Sequence, residues 1–163
     1  MDESQLQRGQ EWLEKLLELA GLSASVGTDA EQTQQEGSYW LAIDSTSLTS
    51  EQVETLIGVD GSVLDAVQYL ANTTLNLGQT EDQQCAYTVE LDGYRARRQA
   101  ELQAMAEQAA AKVRETGEEF EMVALSSAER RQVHTFLKSF EDLETYSRGR
   151  EPDRRLVVRP LQS

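Results

Sequence analysis

Two glycines three positions apart, Gly58 and Gly61, are the residues of this chain best placed to bind an anion through the backbone. They stand between two amphipathic helical patterns, so the second glycine precedes a helix whose first amide groups lack intrahelical partners. Glycine has no Cβ, which lets a phosphate approach those amides, and a helix N-terminus favours negative charge. The residues between the glycines are Val59 and Asp60, where a polyanion site would gain most from Lys or Arg. The spacing of the glycines therefore predicts a phosphate-binding loop, or phosphate clamp, whereas the residues between them are unfavourable for binding a phosphate because one is uncharged and the other is acidic.

A second candidate site lies on a short helical pattern near the end of the chain. Arg130 and His134 are four residues apart and share a helix face, with Arg131 beside them. A turn-rich segment follows, and the last 16 residues contain five arginines, at positions 148, 150, 154, 155 and 159. Arginine contacts phosphates and stacks on bases, and the flat rings of His134 and Tyr146 suit unpaired bases. Taken alone, a single histidine at such a position is more often exposed or structural.

The charge is unevenly distributed along the chain. The 163 residues carry a net charge of -14. Up to Asp92 there are 17 acidic residues and two basic ones, whereas from Gly93 there are 12 acidic and 13 basic. No Lys or Arg occurs between Lys15 and Arg95. This asymmetry indicates two units with different partners, although a solubilising acidic surface explains the first half equally well.

Composition excludes several classes of protein. Cys85 and His134 are single occurrences, so a disulfide framework, a zinc cluster or a Cys/His dyad is not expected. A reducing cytoplasm fits this cysteine usage. The N-terminus does not read as an export signal, and no apolar run approaches the length of a membrane span. We expect no catalytic residues, metal or cofactor, because neither a carboxylate cluster nor a base and nucleophile pair is evident.

Apolar periodicity predicts the elements of the first half. The order is helix, weak strand, strand, helix, glycine pair, helix and strand, with the strands at 24–26, 39–44 and 85–92. Residues 27–37 are interpreted as a loop. Thr49 and Gln52 form a capping box for the helix that ends at Gly58. The helix after the glycine pair is predicted to bury one stripe, consisting of Val63, Val67, Leu70, Ala71 and Leu75.

The second half is predicted to contain helix, strand, helix, strand and strand. A long helix runs from Tyr94 to about Thr116, and the later elements lie at 120–125, after Ser127, at 143–146 and at 155–158. Three arginines, at 95, 97 and 98, occupy the first turn of the long helix, where the helix dipole disfavours cations. They therefore either face another anion or pair with Glu90, Asp92 or Glu101, and both alternatives stay open.

Two motifs in this order resemble known nucleic-acid modules. The glycine pair between two helices resembles the GxxG loop of KH domains. Glu129-Arg130-Arg131-Gln132-Val133-His134, followed by Ser147-x-Gly149-x-Glu151-Pro152-x-Arg154, resembles the R-3-H domain, a small single-stranded nucleic-acid binder. Together, over residues 38–160, they resemble the Jag family of bacterial proteins, also called SpoIIIJ-associated or KhpB proteins.

The resemblance implies an α+β fold with two domains. Residues 1–92 would form a type II KH domain, a three-stranded sheet packed on helices, and residues 93–163 a small R-3-H domain with a three-stranded sheet and two helices. It also implies a cytoplasmic, non-enzymatic regulator of single-stranded RNA or single-stranded DNA. Implied partners are a second small KH protein and, indirectly, a membrane insertase, with a chaperone-like role and an influence on cell shape. The nucleic-acid-binding residues that the resemblance implies are Gly58, Gly61, Arg130, His134, Ser147, Gly149 and Arg154. Their position and chemistry add as candidates Val59 and Asp60, inside the glycine pair, and Arg131, Arg148, Arg150 and Arg155.

Electrostatics favours the second domain as the main RNA contact. A carboxylate about 4 Å from a phosphate is repelled by about 1 kcal/mol in water and about 4 kcal/mol at a lower effective dielectric. Attraction of the phosphate to a helix N-terminus contributes only about 0.3 to 1 kcal/mol, so the repulsion from Asp60 weakens the clamp. Two hypotheses follow. The chain binds RNA mainly through its Arg-x-x-x-His domain, or it is an adaptor whose acidic KH domain binds a basic protein or another KH subunit.

Overall fold

The structure, a computed structural model, describes residues 3–161 and divides into two compact units between Arg95 and Ala96. Each unit has its own three-stranded sheet and its own hydrophobic core. The expected α+β architecture with two three-stranded sheets is therefore confirmed. Within residues 3–161, no helix is both long enough and apolar enough to cross a bilayer.

The first unit is a three-stranded sheet with helices. Its elements are α1 (Glu3–Leu19), β1 (Val26–Thr28), α2 (Ala30–Glu36), β2 (Tyr39–Ile43), α3 (Ser50–Ile57), α4 (Ser62–Leu75) and β3 (Tyr87–Leu91). The strand order is β1-β2-β3, with β1 antiparallel to β2 and β2 parallel to β3. Alternate residues of β2 and β3 are buried, as the period of two predicts. Leu13 and Leu17 of α1 complete the core with them.

Three predictions for the first unit were wrong. The weak strand predicted at 24–26 lies instead at Val26–Thr28, where it pairs with β2. The segment interpreted as a loop contains α2, which has no apolar stripe and is held by its ends. Asp29 caps it by accepting from the Gln32 amide (2.9 Å), and Gly37 ends it in the left-handed conformation. On α4, Val63 and Leu70 were predicted to be buried but are 39% and 44% exposed.

A row of amide side chains on α4 and its C-cap residue, Asn76, is hydrogen bonded to the outer edge of β3. Asn76 pairs with Cys85, Asn72 with Tyr87, and Gln68 with Val89. These side chains recur every four helix residues, about 6 Å along the helix axis, while their partners recur every two strand residues, about 6.6 Å. The near-equal repeats keep the two rows in step, so α4 occupies the place of a fourth strand.

The second unit is an antiparallel sheet covered by two helices. Its elements are α5 (Tyr94–Thr116, whose first two residues belong to the first unit), β4 (Phe120–Met122), α6 (Ser127–Leu137), β5 (Leu143–Arg148) and β6 (Arg155–Pro160). The strand order is β4-β6-β5. The predicted order of elements is confirmed. Ser126, one residue before the predicted cap, begins α6 in a capping box with Glu129, whose carboxylate also accepts from Arg98 Nε at 2.7 Å.

Two of the three arginines at the start of α5 pair with carboxylates. Arg95 Nη1 lies 2.5 Å from Asp65, and Arg95 Nε donates to the Val89 carbonyl (3.1 Å). Arg98 bonds both Glu101 and Glu129. Internal pairing therefore accounts for these two cations, although for Arg95 the partner is on α4 rather than among the expected acidic neighbours.

Candidate nucleic-acid interface

One groove in the second unit gathers most of the residues predicted around the Arg-x-x-x-His pattern. It has a volume of about 280 Å³ and lies between α6, β5 and the loop that precedes β6. Its lining residues are Ser127, Arg130, Arg131, His134, Tyr146, Ser147, Glu151, Arg154 and Leu156. The four-residue spacing and the downstream segment therefore meet in space, as the motif requires.

Arg130 lies beneath the groove and holds its loop. The side chain is only 6% exposed. Nη1 donates to the Leu125 carbonyl (2.6 Å) and to the Arg154 carbonyl (3.1 Å), and Nη2 donates to the Glu151 carboxylate. These bonds tie the start of α6 to the loop before β6. In this geometry Arg130 is a positioning residue for Arg154, a role that sequence spacing did not separate from direct contact.

His134 is fixed against β5. Its Nδ1 is hydrogen bonded to the Thr145 hydroxyl, and the ring is half-buried. Strand alternation places Thr145 and Ser147 on the same face of β5, the face turned toward α6. The ring therefore presents a fixed plane beside the groove. Thr145 is a site residue that sequence analysis missed, and its signal was its position two residues before Ser147.

Three arginines around this groove are available to an external anion. Arg131 and Arg154 line the groove and Arg150 lies in the adjoining loop, and all three are exposed. Within residues 3–161, none of the three has a carboxylate at ion-pair distance. Gly149, which begins this loop, has a φ of +89°, and a Cβ there would lie 3.3 Å from the Asp153 carbonyl oxygen. The tight loop thus brings Arg154 back to the groove.

Arg148 and Arg155 lie on the other face of the sheet and are bonded to carboxylates. Arg148 donates to Glu119 (2.8 Å) and to Glu121 (2.7 Å), and Arg155 donates to Glu121 (2.7 Å). Hydrogen bonds from Arg148 and then Tyr146 lower the pKa of Glu119, and bonds from Arg155 and then Arg148 lower that of Glu121. The exposed arginines predicted for the site therefore form two sets: those around the groove are available to an external anion, and those on the other face of the sheet are paired with carboxylates. The strand register of β5 and β6 decides which arginine belongs to which set, and the sequence did not show that register.

Comparison with known proteins agrees with this geometry. Residues 100–160 match the R-3-H domain. The chain is 25% identical over 148 residues to the RNA-binding protein KhpB of Clostridium symbiosum, an overlap of 91% of this chain and 63% of that protein. It is 31% identical over 113 residues to KhpB of Bacillus subtilis, covering 68% of this chain and 53% of the relative. The chain belongs to the KhpB (Jag) family.

The KhpB proteins that match are longer than the matched region. KhpB of Lactiplantibacillus plantarum is 34% identical over 103 residues, which are 63% of this chain and 31% of that protein. The chain thus spans 63% or less of the length of these three relatives. Their name describes them as RNA-binding proteins.

In this KhpB family member, the backbone conformation and the packing explain why both positions of the glycine pair are glycine. Gly58 ends α3, donating its N–H to Glu54 (2.8 Å), and has a φ of +73°. Gly61 begins α4 with a φ of +78°, and a Cβ there would lie 2.6 Å from Tyr94 Cζ. Both positions therefore require glycine for backbone conformation or close packing. Between them Val59 is 81% exposed and Asp60 is also exposed, in the left-handed conformation with a φ of +51°.

Proposed function

We propose that this chain binds single-stranded RNA through the groove of its second unit, with Arg131 and Arg154 on phosphates and His134 beneath a base. The observation that carries this proposal is the convergence of two exposed arginines, free of carboxylate partners among the described residues, on a histidine ring fixed by β5. The relatives' name as RNA-binding proteins supports the same chemistry.

The groove suits an unpaired strand. Phosphates are contacted by arginine, and stacking of a base on a ring contributes about 1 to 3 kcal/mol whatever the base. Neither interaction depends on base identity. Binding at this groove is therefore expected to be salt-dependent and weakly sequence-selective, and single-stranded DNA is expected to compete with RNA.

A two-domain organisation accompanies this proposal. We infer a type II KH domain at residues 1–92 and an R-3-H domain at residues 93–163. The order α1, β1, α2, β2, α3, α4 and β3, with the glycine pair between α3 and α4, supports the first assignment. The match of residues 100–160 supports the second.

The first unit is expected to contribute little to RNA affinity. Asp60 is exposed at the tip of the glycine pair, and Val59 beside it supplies no charge. The outer edge of β3 is occupied by the amide side chains of α4, so its backbone groups are not offered to bases or to an added strand. These features support the second unit as the main contributor to RNA affinity.

The test is a salt titration with the full chain and a short fluorescent RNA. Arg131→Ala combined with Arg154→Ala should weaken binding to all sequences and lower the salt slope by about 1.4, that is, about 0.7 for each of two lost phosphate contacts. Lys112→Ala removes one exposed cation from α5, outside the groove, and serves as the control. Unchanged affinity and slope in the double variant would reject the groove as the RNA site.

The adaptor hypothesis is the second candidate because two apolar residues of α4, Val63 and Leu70, are exposed to solvent. The other implied properties are predictions of the same kind: a second small KH protein as partner, an indirect link to a membrane insertase, an effect on cell shape and a cytoplasmic location. Cross-linking in cells, followed by sequencing of attached RNA and identification of attached proteins, separates an RNA regulator from an adaptor.

A further inference from the structure

Helix α4 carries an apolar row that faces solvent. Its members are Val63 and Leu70 within the helix, Val59 before it and Leu77 just after it. Val63 and Leu70 are seven residues apart within α4, so they lie on one line of the helix, about 10 Å apart. Val59 and Leu77 are 81% and 78% exposed. These four side chains are named here the α4 apolar row.

The α4 apolar row does not belong to the core of its unit. The core face of α4 is formed by Leu64, Ala71 and Leu75, which are at most 4% exposed. A second face carries Gln68 and Asn72, whose amides bond β3. Two faces are thus fixed by the fold, and they hold the third in a set orientation toward solvent. Several exposed apolar side chains on and beside one helix are typical of an interaction surface.

The negative charge near this row indicates that its partner is basic. Up to Arg95 the chain has 17 acidic residues against Arg8, Lys15 and Arg95. Of these cations, Lys15 pairs with Glu18 (2.6 Å) and Arg95 with Asp65 (2.5 Å). Asp60 adjoins Val59 at one end of the row, and Glu81 with Asp82 follow Leu77 at the other. A second copy of this chain, an RNA or an anionic membrane would each bring more negative charge to this surface.

We propose that the α4 apolar row binds an amphipathic helix of a partner protein whose apolar side chains are flanked by Lys and Arg. Anchors at i and i+7 of such a helix are about 10 Å apart, as Val63 and Leu70 are. The flanking cations suit the acidic residues that adjoin the row in the sequence. Because α4 is held by β3 on one side and by the core on another, the surface is preformed, which reduces the entropy lost on binding. This surface belongs to the first unit, and its proposed role does not depend on RNA binding by the groove of the second unit.

The proposal is tested on the full chain with a designed probe. The probe is an 18-residue peptide with leucines at four anchor positions spaced i, i+3, i+4 and i+7, lysines at the positions beside them and alanines elsewhere, and a second peptide carries glutamates in place of the lysines. Calorimetry should show one-to-one binding of the lysine peptide, and at least tenfold weaker binding to the variant Leu70→Ser with Leu77→Ser. This variant keeps every charge, so nonspecific attraction to an acidic protein would leave its affinity unchanged.

Controls separate the row from other surfaces. Leu19→Ser replaces another exposed leucine of the same unit, 76% exposed, and should alter affinity less than twofold. The Arg131→Ala with Arg154→Ala variant should bind the lysine peptide normally, so failure of the RNA groove does not affect this test. Leu77 lies outside the helix, so Leu77→Ser alone provides a variant whose fold is intact if the double variant proves unstable.

Four results would overturn the proposal. The first is equal affinity of the original chain and the double serine variant for the lysine peptide, and the second is equal affinity of the two peptides for the original chain. The third is a dimer in sedimentation that the double variant loses, which would assign the row to a second copy. The fourth is a loss of RNA affinity in the double variant, which would assign it to nucleic acid.

Discussion

The side-chain amide of Asn72 pairs with the backbone of Tyr87 as a neighbouring strand would. Asn72 Nδ2 donates to the Tyr87 carbonyl at 2.8 Å, and the Tyr87 N–H donates to Asn72 Oδ1 at 2.9 Å. Asn76 repeats this two-bond arrangement with Cys85. A sheet edge is normally a site for strand addition, and here a helix closes it with side chains.

Replacing Asn72 by Asp tests this pairing. The carboxylate keeps the acceptor for the Tyr87 N–H but loses the donor and faces a carbonyl oxygen, so the free energy of unfolding should fall by about 1 to 3 kcal/mol. Urea denaturation measures the loss. Gln84→Glu makes the same amide-to-carboxylate change at an exposed position of the same unit and should change stability by less than about 0.5 kcal/mol. Equal effects of the two substitutions would contradict the pairing.

Arg130 and Arg131 are neighbours with different expected roles. Arg130→Ala removes a buried guanidinium that bonds two carbonyls and the Glu151 carboxylate, and should destabilise the second unit by about 3 kcal/mol. Arg131→Ala, at an exposed position, should leave stability within about 0.5 kcal/mol and lower RNA affinity. Urea denaturation measures the stability of both variants, and fluorescence anisotropy measures their affinity for RNA. Intact stability in Arg130→Ala would reject its positioning role.

Arg148 is expected to matter less for RNA than Arg131. Its guanidinium is bonded to Glu119 and Glu121 on the face of the sheet opposite the groove, so its charge is largely neutralised. Arg148→Ala should change RNA affinity less than twofold, measured by anisotropy in the same salt as Arg131→Ala. A larger loss with Arg148→Ala than with Arg131→Ala would move the RNA site to the outer face of the sheet.

The outer-face carboxylates predict a pH dependence. Bonds from Arg148 to Glu119, and from Arg155 and Arg148 to Glu121, lower both pKa values from the usual 4.5. Since the folded pKa lies below the unfolded one, these ion pairs stabilise the fold above pH 4.5, and the stabilisation is lost as pH falls through the lowered values. A carboxyl NMR titration should give midpoints below 4.5 that rise in Arg148→Ala. Midpoints at or above 4.5 in the original chain would disprove the pairing.

The glycine pair can be tested by changing its charge. Val59→Lys with Asp60→Asn replaces an exposed apolar residue and an exposed carboxylate, and asparagine tolerates the left-handed conformation found at position 60. If the loop keeps clamp geometry, RNA affinity and the salt slope of the full chain should both rise. If neither changes in a folded variant, the glycine pair has only the structural role set by Tyr94 and the α3–α4 turn.

Sequence alone determined the order of most elements and both candidate sites. Period-two burial located β2 and β3, and a four-residue spacing put Arg130 and His134 on one helix face, because such patterns follow directly from backbone geometry. Charge counting separated an acidic first half from a second half with its arginines concentrated near the end. These are local or additive properties of the chain, and no tertiary contact is needed to recognise them.

Tertiary structure decided which side chains are buried and which cations are available. Leu70 is apolar at helical spacing, yet it faces solvent because the amides of Gln68 and Asn72 bind β3 and set the rotation of α4. Arg130 is buried while Arg131 is exposed, although both are basic residues of the same motif. Arg148 is neutralised because antiparallel pairing brings β4 and β5 to opposite sides of β6, with Glu119 and Glu121 within its reach. Strand register and helix rotation depend on contacts between distant residues, which no local pattern of residue types specifies.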